Sequence, residues 1–391
     1  MRGFAGSILA AMSAILVFVL PAMAFQTDGR SMIIIDHDSG AILAEKNADE
    51  PLPPASLSKL MTLNMAFEAL KQNRLDLDVK LPVSQHAASY GGSSMFLNRG
   101  ELVSVEDLLR GVIVLSGNDA SAVLAEALSP DGTEEGFAQL MNRRATELGM
   151  TNSTFTNSNG WPHPDHKMSS RDLALLASRL IREFPEYYGY FAEKEFLFDQ
   201  RVPENRYNRN PLLKLDRGAD GLKTGYTQEA GYGLVGSATN GKRRVVFVLA
   251  GLKNRIQRTE EANQIVNWYF IQFSERSLFT AGETVVEAPI WMGAESRLAA
   301  VVPHDAYVLV PGSVSDVEID ARAVFDSHLE APVAEGQPLG ELIVTLSGLD
   351  YTTTFPLVAG KTVERAGYFG KFALAAATMV SRLVSWSPLG D

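Results

Sequence analysis

The chain has 391 residues, a formal net charge of −11 and no cysteine. The missing cysteine excludes disulfides, thiolate nucleophiles and thiolate metal sites. The acidic balance supplies no basic surface for a phosphate backbone, which argues against a nucleic-acid partner.

At the start of the chain Arg2 precedes an apolar run from Ile8 to Leu20 that ends in Ala22-Met23-Ala24. This pattern is a secretory signal peptide cut after Ala24, and its apolar run is too short to span a bilayer comfortably. Removing it leaves 391 − 24 = 367 residues, more than one hydrophobic core usually organises, so two domains are expected. Residues 31–45 read as a hairpin, Met32-Ile33-Ile34-Ile35 and Ala41-Ile42-Leu43 flanking a turn at Asp38-Ser39-Gly40. Pro51, Pro53 and Pro54 hold off any helix until Leu57–Leu70. A second helical region starts at Ser104 with Asp107 as an approximate capping box, and further helical patterns cover 119–128, 134–148 and 170–184. Two apolar runs, Gly233–Ala238 and Arg244–Ala250, are joined by Asn240-Gly241, a dipeptide suited to a tight hairpin, and a helix from about Glu260 to Phe273 follows.

This order predicts an α+β fold, with helices packed on an antiparallel sheet. Beyond about residue 278 the texture changes to short alternating runs such as Leu342, Val344 and Leu346, then Tyr351, Thr353 and Phe355, which predict a small all-β domain. The expected organisation is a signal peptide (1–24), a catalytic domain (25–278), a β-rich domain (279–360) and a terminal amphipathic helix (361–391). In that last segment Phe369, Phe372, Ala373, Ala376, Met379, Val380 and Leu383 share one helical face, Lys371 and Arg382 share the other, and Trp386 lies near the end. Such a helix suits a membrane interface, with 366–386 as the contacting stretch. The competing reading packs it on the β domain.

Three short strings carry chemistry. In Ser56-Leu57-Ser58-Lys59 a helix places hydroxyl and amine one turn apart, and a partly buried lysine with a lowered pKa can take the serine proton. In Ser116-Gly117-Asn118 a backbone break at Gly117 lets both polar side chains face a cavity, Ser116 to relay a proton and Asn118 to hold a substrate amide by donor and acceptor. Lys223-Thr224-Gly225 stands just ahead of the hairpin strands, where it can lie along a sheet edge with charge and hydroxyl offered to a carboxylate. Singly, each string has an ordinary structural explanation. In this order and spacing they match the set described for serine β-lactamases and penicillin-binding proteins.

On these strings, extended to Pro54–Thr62, Ser116–Ala120 and Asp220–Gly225, the chain resembles the low-molecular-mass penicillin-binding proteins of the D-alanyl-D-alanine carboxypeptidase type. Ser93–Leu97, Ser169–Asp172 and Asn208-Arg209-Asn210 also look like that family, as does a β domain followed by an amphipathic terminal segment. The resemblance implies a transpeptidase-like domain, with Ser56 attacking the carbonyl between two terminal D-alanines and Lys59 as general base. It further implies an oxyanion hole from the backbone N–H groups of Ser56 and Tyr226. Ser116 would pass a proton to the departing amine, while Arg209 and Arg258 would join Lys223 and Thr224 on the terminal carboxylate. Implied partners are peptidoglycan stem peptides ending in D-Ala-D-Ala, β-lactam antibiotics, and the periplasmic face of the inner membrane. No cofactor or metal is implied. Tyr226 stands where some family members carry His.

Other readings of these residues compete. A class A β-lactamase needs a Glu-x-x-Leu-Asn context that is missing between Ser129 and Asp172. A zinc site at His163, Asp165 and His166 is opposed by Pro162 and Pro164 and by the lack of a His-Glu-x-x-His string. A D,D-endopeptidase would use the same apparatus, and a non-catalytic wall scaffold would leave three complete strings without a purpose.

Overall fold

The computed structural model describes residues 25–215, 217–312, 317–326, 328–346 and 351–366. The expected signal peptide and the amphipathic stretch after Ala366 lie outside these residues. The described chain begins with β1 (Ser31–Asp36) and β2 (Ile42–Lys46), and a 3-10 turn (Ala55–Ser58) runs directly into α1 (Lys59–Lys71). Then come β3 (Lys80–Pro82), α2 (Gln85–Ala88), β4 (Leu102–Ser104) and α3 (Val105–Arg110), the last continuing as a π turn over Gly111–Leu115. The helical block closes with α4 (Asn118–Leu128), α5 (Glu134–Glu147), α6 (Ser170–Glu183) and α7 (Pro185–Tyr188). Next are β5 (Ala219–Thr227), β6 (Gly231–Thr239), β7 (Arg244–Leu252) and α8 (Arg255–Gln272).

Five strands form an antiparallel sheet in the order β2-β1-β7-β6-β5. Its central strands are apolar on both faces, because both faces are covered. Ile33, Val235, Val246 and Val248 point into the core shared with α1, α4 and α6. Their neighbours Met32, Ile34, Leu234, Val245, Phe247 and Leu249 point to the other side, against Ala262, Ile265, Val266 and Tyr269 of α8. A period of two thus sorts one run of residues into two cores. Helix α1 buries everything except Met65, Glu68 and Lys71, as expected of a helix enclosed on all sides.

Some elements differ from the sequence expectation. Helix α8 starts at Arg255, not Glu260, because the Asn254 side chain accepts the Gln257 N–H at 2.9 Å and caps the helix there. The helix begun at Ser104, whose hydroxyl accepts the Asp107 N–H at 3.2 Å, widens into the π turn before it stops.

The all-β region contains β8 (Phe273–Phe279), β9 (Thr284–Pro289), β10 (Arg297–Val301), β11 (Ala306–Pro311), β12 (Ile319–Phe325), β13 (Pro338–Leu346) and β14 (Tyr351–Ala359). Strand β8 follows α8 without a linker and pairs with β11, while the other five form a sheet ordered β12-β13-β14-β10-β9. Leu342, Val344 and Leu346 fall on its packed face, together with Val308 of β11.

Candidate active site

Ser56 sits half-buried in the 3-10 turn, which is entered through Ala55 in a left-handed conformation (φ 49°). Lys59, the first residue of α1, is fully buried. Its Nζ lies 3.0 Å from Ser56 Oγ, 2.7 Å from Asn118 Oδ1 and 2.6 Å from the Asn159 carbonyl oxygen. Burial, and after it the charge on Arg209, lowers the Lys59 pKa to about 7, against an opposing pull from Asp119 and Glu134. A neutral amine has two N–H donors and one lone pair. The donors are matched by Asn118 Oδ1 and the Asn159 carbonyl, which leaves the lone pair for the Ser56 hydroxyl proton.

The second string turns at Ser116, not at Gly117. Ser116 adopts φ 61° and ψ 31°, the left-handed region, where the π turn ends, while Gly117 has φ −57°. Glycine is required at 117 for space, since a Cβ there would lie 2.9 Å from Asp119 Oδ1. The turn delivers Ser116 Oγ to Lys223 Nζ at 2.8 Å. Asn118 does not present a free amide, because Oδ1 takes the Lys59 bond and Nδ2 donates to the Gly91 carbonyl at 2.8 Å. What remains for a substrate is its second amide hydrogen and second lone pair. Behind it the buried Asp119 carboxylate accepts from Ser94 Oγ (2.6 Å) and from the N–H groups of Met95 (2.9 Å) and Leu97 (3.1 Å), which ties residues 93–97 over the serine.

The third string lies on β5, the edge strand of the sheet. Lys223 is buried, and its ammonium is disfavoured by burial first and then by Lys59, Arg209 and Arg258. A Cβ on Gly225 would meet the Pro54 carbonyl oxygen at 3.0 Å and Leu57 N at 3.3 Å, so glycine lets this edge approach the Ala55–Ser58 turn without pushing that backbone away. Thr224 is buried beside it, and the exposed Tyr226 ring packs on Tyr232 with centroids 4.2 Å apart. Arg209 is exposed and donates to Ser93 Oγ. Arg258 is buried, with its guanidinium 5.8 Å from the Tyr232 ring centroid, and burial followed by the charge on Arg255 brings its pKa to about 10. Ser56, Ser116, Thr224, Gly225, Tyr226, Arg209 and Arg258 all line one cleft of about 670 Å³. Lys59, Asn118 and Lys223 stand behind its wall, joined to it through the serines.

Residues 156–161 and Glu134 were missing from the sequence reading. The loop supplies the Asn159 carbonyl to Lys59, and Gly160 (φ 78°) packs so closely that a Cβ there would lie 1.8 Å from the Ala55 carbonyl oxygen. Glu134 is buried and accepts from Ser158 N (2.8 Å), Ser158 Oγ (2.5 Å), Tyr90 OH (2.7 Å) and His86 Nε2 (2.7 Å). Burial pushes its carboxyl up, but these hydrogen bonds outweigh it and hold the pKa below the ordinary value. The turn residues Asn157-Ser158-Asn159-Gly160 were the available signal. His166 is buried with Nε2 2.7 Å from Ser58 Oγ, and burial lowers its pKa to about 4. Among the described residues no three His, Asp or Glu side chains converge as metal ligands.

Known proteins resemble the chain over most of its length. Residues 19–254 match the family described as D-alanyl-D-alanine carboxypeptidase, and residues 273–365 match the C-terminal domain of penicillin-binding protein 5. The chain is 38% identical to D-alanyl-D-alanine carboxypeptidase DacC of Escherichia coli over 88% of its own length and 86% of the relative's. Penicillin-binding protein 5 from Haemophilus influenzae superposes with a TM-score of 0.76 at 33% identity, covering 87% of this chain and 99% of that one. Penicillin-binding protein D2 from Listeria monocytogenes, solved in an ampicillin-bound form, gives 0.56 at 31% identity over 63% of this chain and 98% of that one. The chain belongs to the D-alanyl-D-alanine carboxypeptidase family, and it is a serine peptidase with a penicillin-binding-protein fold followed by an all-β domain.

Proposed function

We propose that the chain removes the terminal D-alanine from peptidoglycan peptides through an acyl-enzyme on Ser56. The observation that carries this reading is the threefold coordination of the buried Lys59 amine, two contacts to fixed acceptors and the third to Ser56 Oγ. Ser56 Oγ adds to the carbonyl carbon of the penultimate residue while Lys59 Nζ takes its proton. The N–H groups of Ser56 and Tyr226 receive the oxyanion, where the edge of β5 passes the nucleophile turn. The Lys59 ammonium returns that proton by way of the Ser116 hydroxyl, which accepts a hydrogen bond from Lys223, gives its own proton to the departing amine and takes the one from Lys59 in exchange. Thr224, Arg209 and Arg258 hold the terminal carboxylate. D-alanine leaves, and water then adds to the ester carbonyl and restores the Ser56 hydroxyl with release of the shortened peptide.

A β-lactam presents the same acyl carbon and carboxylate to this cleft and acylates the same oxygen. Export under the signal peptide and attachment through 366–386 complete the proposal, placing the enzyme on the periplasmic face of the inner membrane. The test is free D-alanine from a pentapeptide ending in D-Ala-D-Ala. Release is expected for the wild type, and it is expected to be abolished by penicillin pretreatment and by Ser56→Ala, with intact-mass spectrometry showing one adduct on the wild type alone. Release by folded Ser56→Ala at the wild-type rate would overturn the assignment.

A further inference from the structure

The cleft carries more positive charge than one terminal carboxylate calls for. Asp and Glu outnumber Lys and Arg by 46 to 35 in the whole chain, yet among the described residues the charged ones lining this cleft are all cations: Arg209, Lys214, Arg255 and Arg258. Arg209, Arg255 and Arg258 have no carboxylate of a described residue within ion-pair distance, although many arginines elsewhere do. The Arg258 side chain is about nine-tenths buried and makes no hydrogen bond to any described residue, and its Nε is enclosed without a partner. A buried guanidinium in that condition is costly unless an anion arrives. Arg255, Arg258 and Thr259 occupy one face of the first turn of α8, where N–H groups unsatisfied within the helix add partial positive charge. The charge on Arg255 also works against protonation of both Arg209 and Arg258, so the three repel one another in the empty cleft.

From this placement we infer a second anion subsite, built by Arg255 at the start of α8 together with Lys214, which lines the same cleft. It favours peptides whose last residue, beyond the scissile bond, carries an acidic side chain in addition to its terminal carboxylate. The inference rests on the proposed carboxypeptidase reading, which places the first carboxylate on Thr224, Arg209 and Arg258. In the same cleft Pro211 and Leu215 give an apolar wall for the methylene groups of such a side chain, and the exposed Arg255 and Lys214 meet its charge. The subsite acts on binding and leaves the Ser56–Lys59 chemistry untouched.

The experiment compares kcat/KM for three synthetic peptides identical except at the last residue, ending in D-Ala-D-Glu, D-Ala-D-Gln and D-Ala-D-Lys. The wild type is expected to favour D-Glu over D-Gln by about fivefold at low salt, with D-Lys poorer still, and to lose much of that preference at high ionic strength. In Arg255→Ala the D-Glu to D-Gln ratio is expected to fall to about one. The ratio is internal to each protein, so a partly damaged fold leaves it readable, and Arg255→Lys should restore part of it. Cleavage of all three peptides with a wild-type ratio near one would overturn the subsite and leave the carboxypeptidase reading standing. Absence of Ser56-dependent cleavage of a D-Ala-D-Ala peptide would overturn both.

Discussion

Upstream of Phe273 the fold encloses Lys59, Asp119, Glu134, Asp172, Lys223 and Arg258, whereas beyond it the buried polar side chains among the described residues reduce to Thr353. Both regions contain a five-stranded antiparallel sheet. The first has helices on both faces, and those helices supply the depth in which an amine loses its proton near neutrality. The second closes over small apolar clusters and holds no ionisable group in its interior among those residues. Burying charge costs stability and returns reactivity, so the comparison separates the part that performs chemistry from a part whose interior only holds shape.

The contrast breaks most sharply at the lysine. Lys59→Ala is expected to slow acylation by a β-lactam by about 10³-fold while the protein still melts cooperatively, read by intact-mass kinetics beside a thermal melt. The opposite behaviour is expected in the all-β region. Leu342→Ala, which empties a fully buried position of β13, should cost about 2–5 kcal/mol in a denaturant titration of that region and leave the acylation rate within about twofold. A slowed acylation in that variant would show the two interiors to be coupled. Asp119→Asn tests the polar framework of the first region. It puts an amide donor where Ser94, Met95 and Leu97 donate, and is expected to cost about 1–3 kcal/mol and to open residues 93–97 to protease before the global transition.

The smallest effect is the most specific. In the proposed mechanism acylation needs the neutral Lys59 amine, so its pKa of about 7 is expected to set the acidic limb of the pH–rate profile, and the negative charge of Glu134 raises that pKa. Glu134→Gln removes the charge, so the limb should move to lower pH, by a few tenths on the pH scale. A movement to higher pH would mean that Glu134 reaches Lys59 by some route other than its charge.

Much of this site was legible in the sequence because its chemistry is local. Ser56 and Lys59 are one turn apart, Lys223 through Gly225 is continuous, and Asn240-Gly241 marked a hairpin whose Gly241 indeed has φ 87°. The illegible parts depend on backbone and on distance. The Asn159 carbonyl that receives Lys59 belongs to the main chain, which every residue carries, so no residue type announces it. Glu134 reads as an ordinary first-turn acid at the start of α5, and it becomes a buried hub only because Ser158 folds back onto it from 24 positions away. The break at Ser116 was assigned to its glycine neighbour because glycine is the usual left-handed residue. Here the serine takes that conformation, held by Lys223, and the glycine makes room for Asp119. The early start of α8 was missed for a simpler reason, since Asn254 was not read as its cap.

At Gly160 the absence of one methyl group fuses two parts of the machinery. The loop ending there leans on the main-chain oxygen of Ala55, immediately before the nucleophile, and the same loop carries the Asn159 oxygen that steadies the amine. A side chain at position 160 would therefore have to push this loop off the Ala55–Ser58 turn, and with it the Asn159 oxygen off the Lys59 amine.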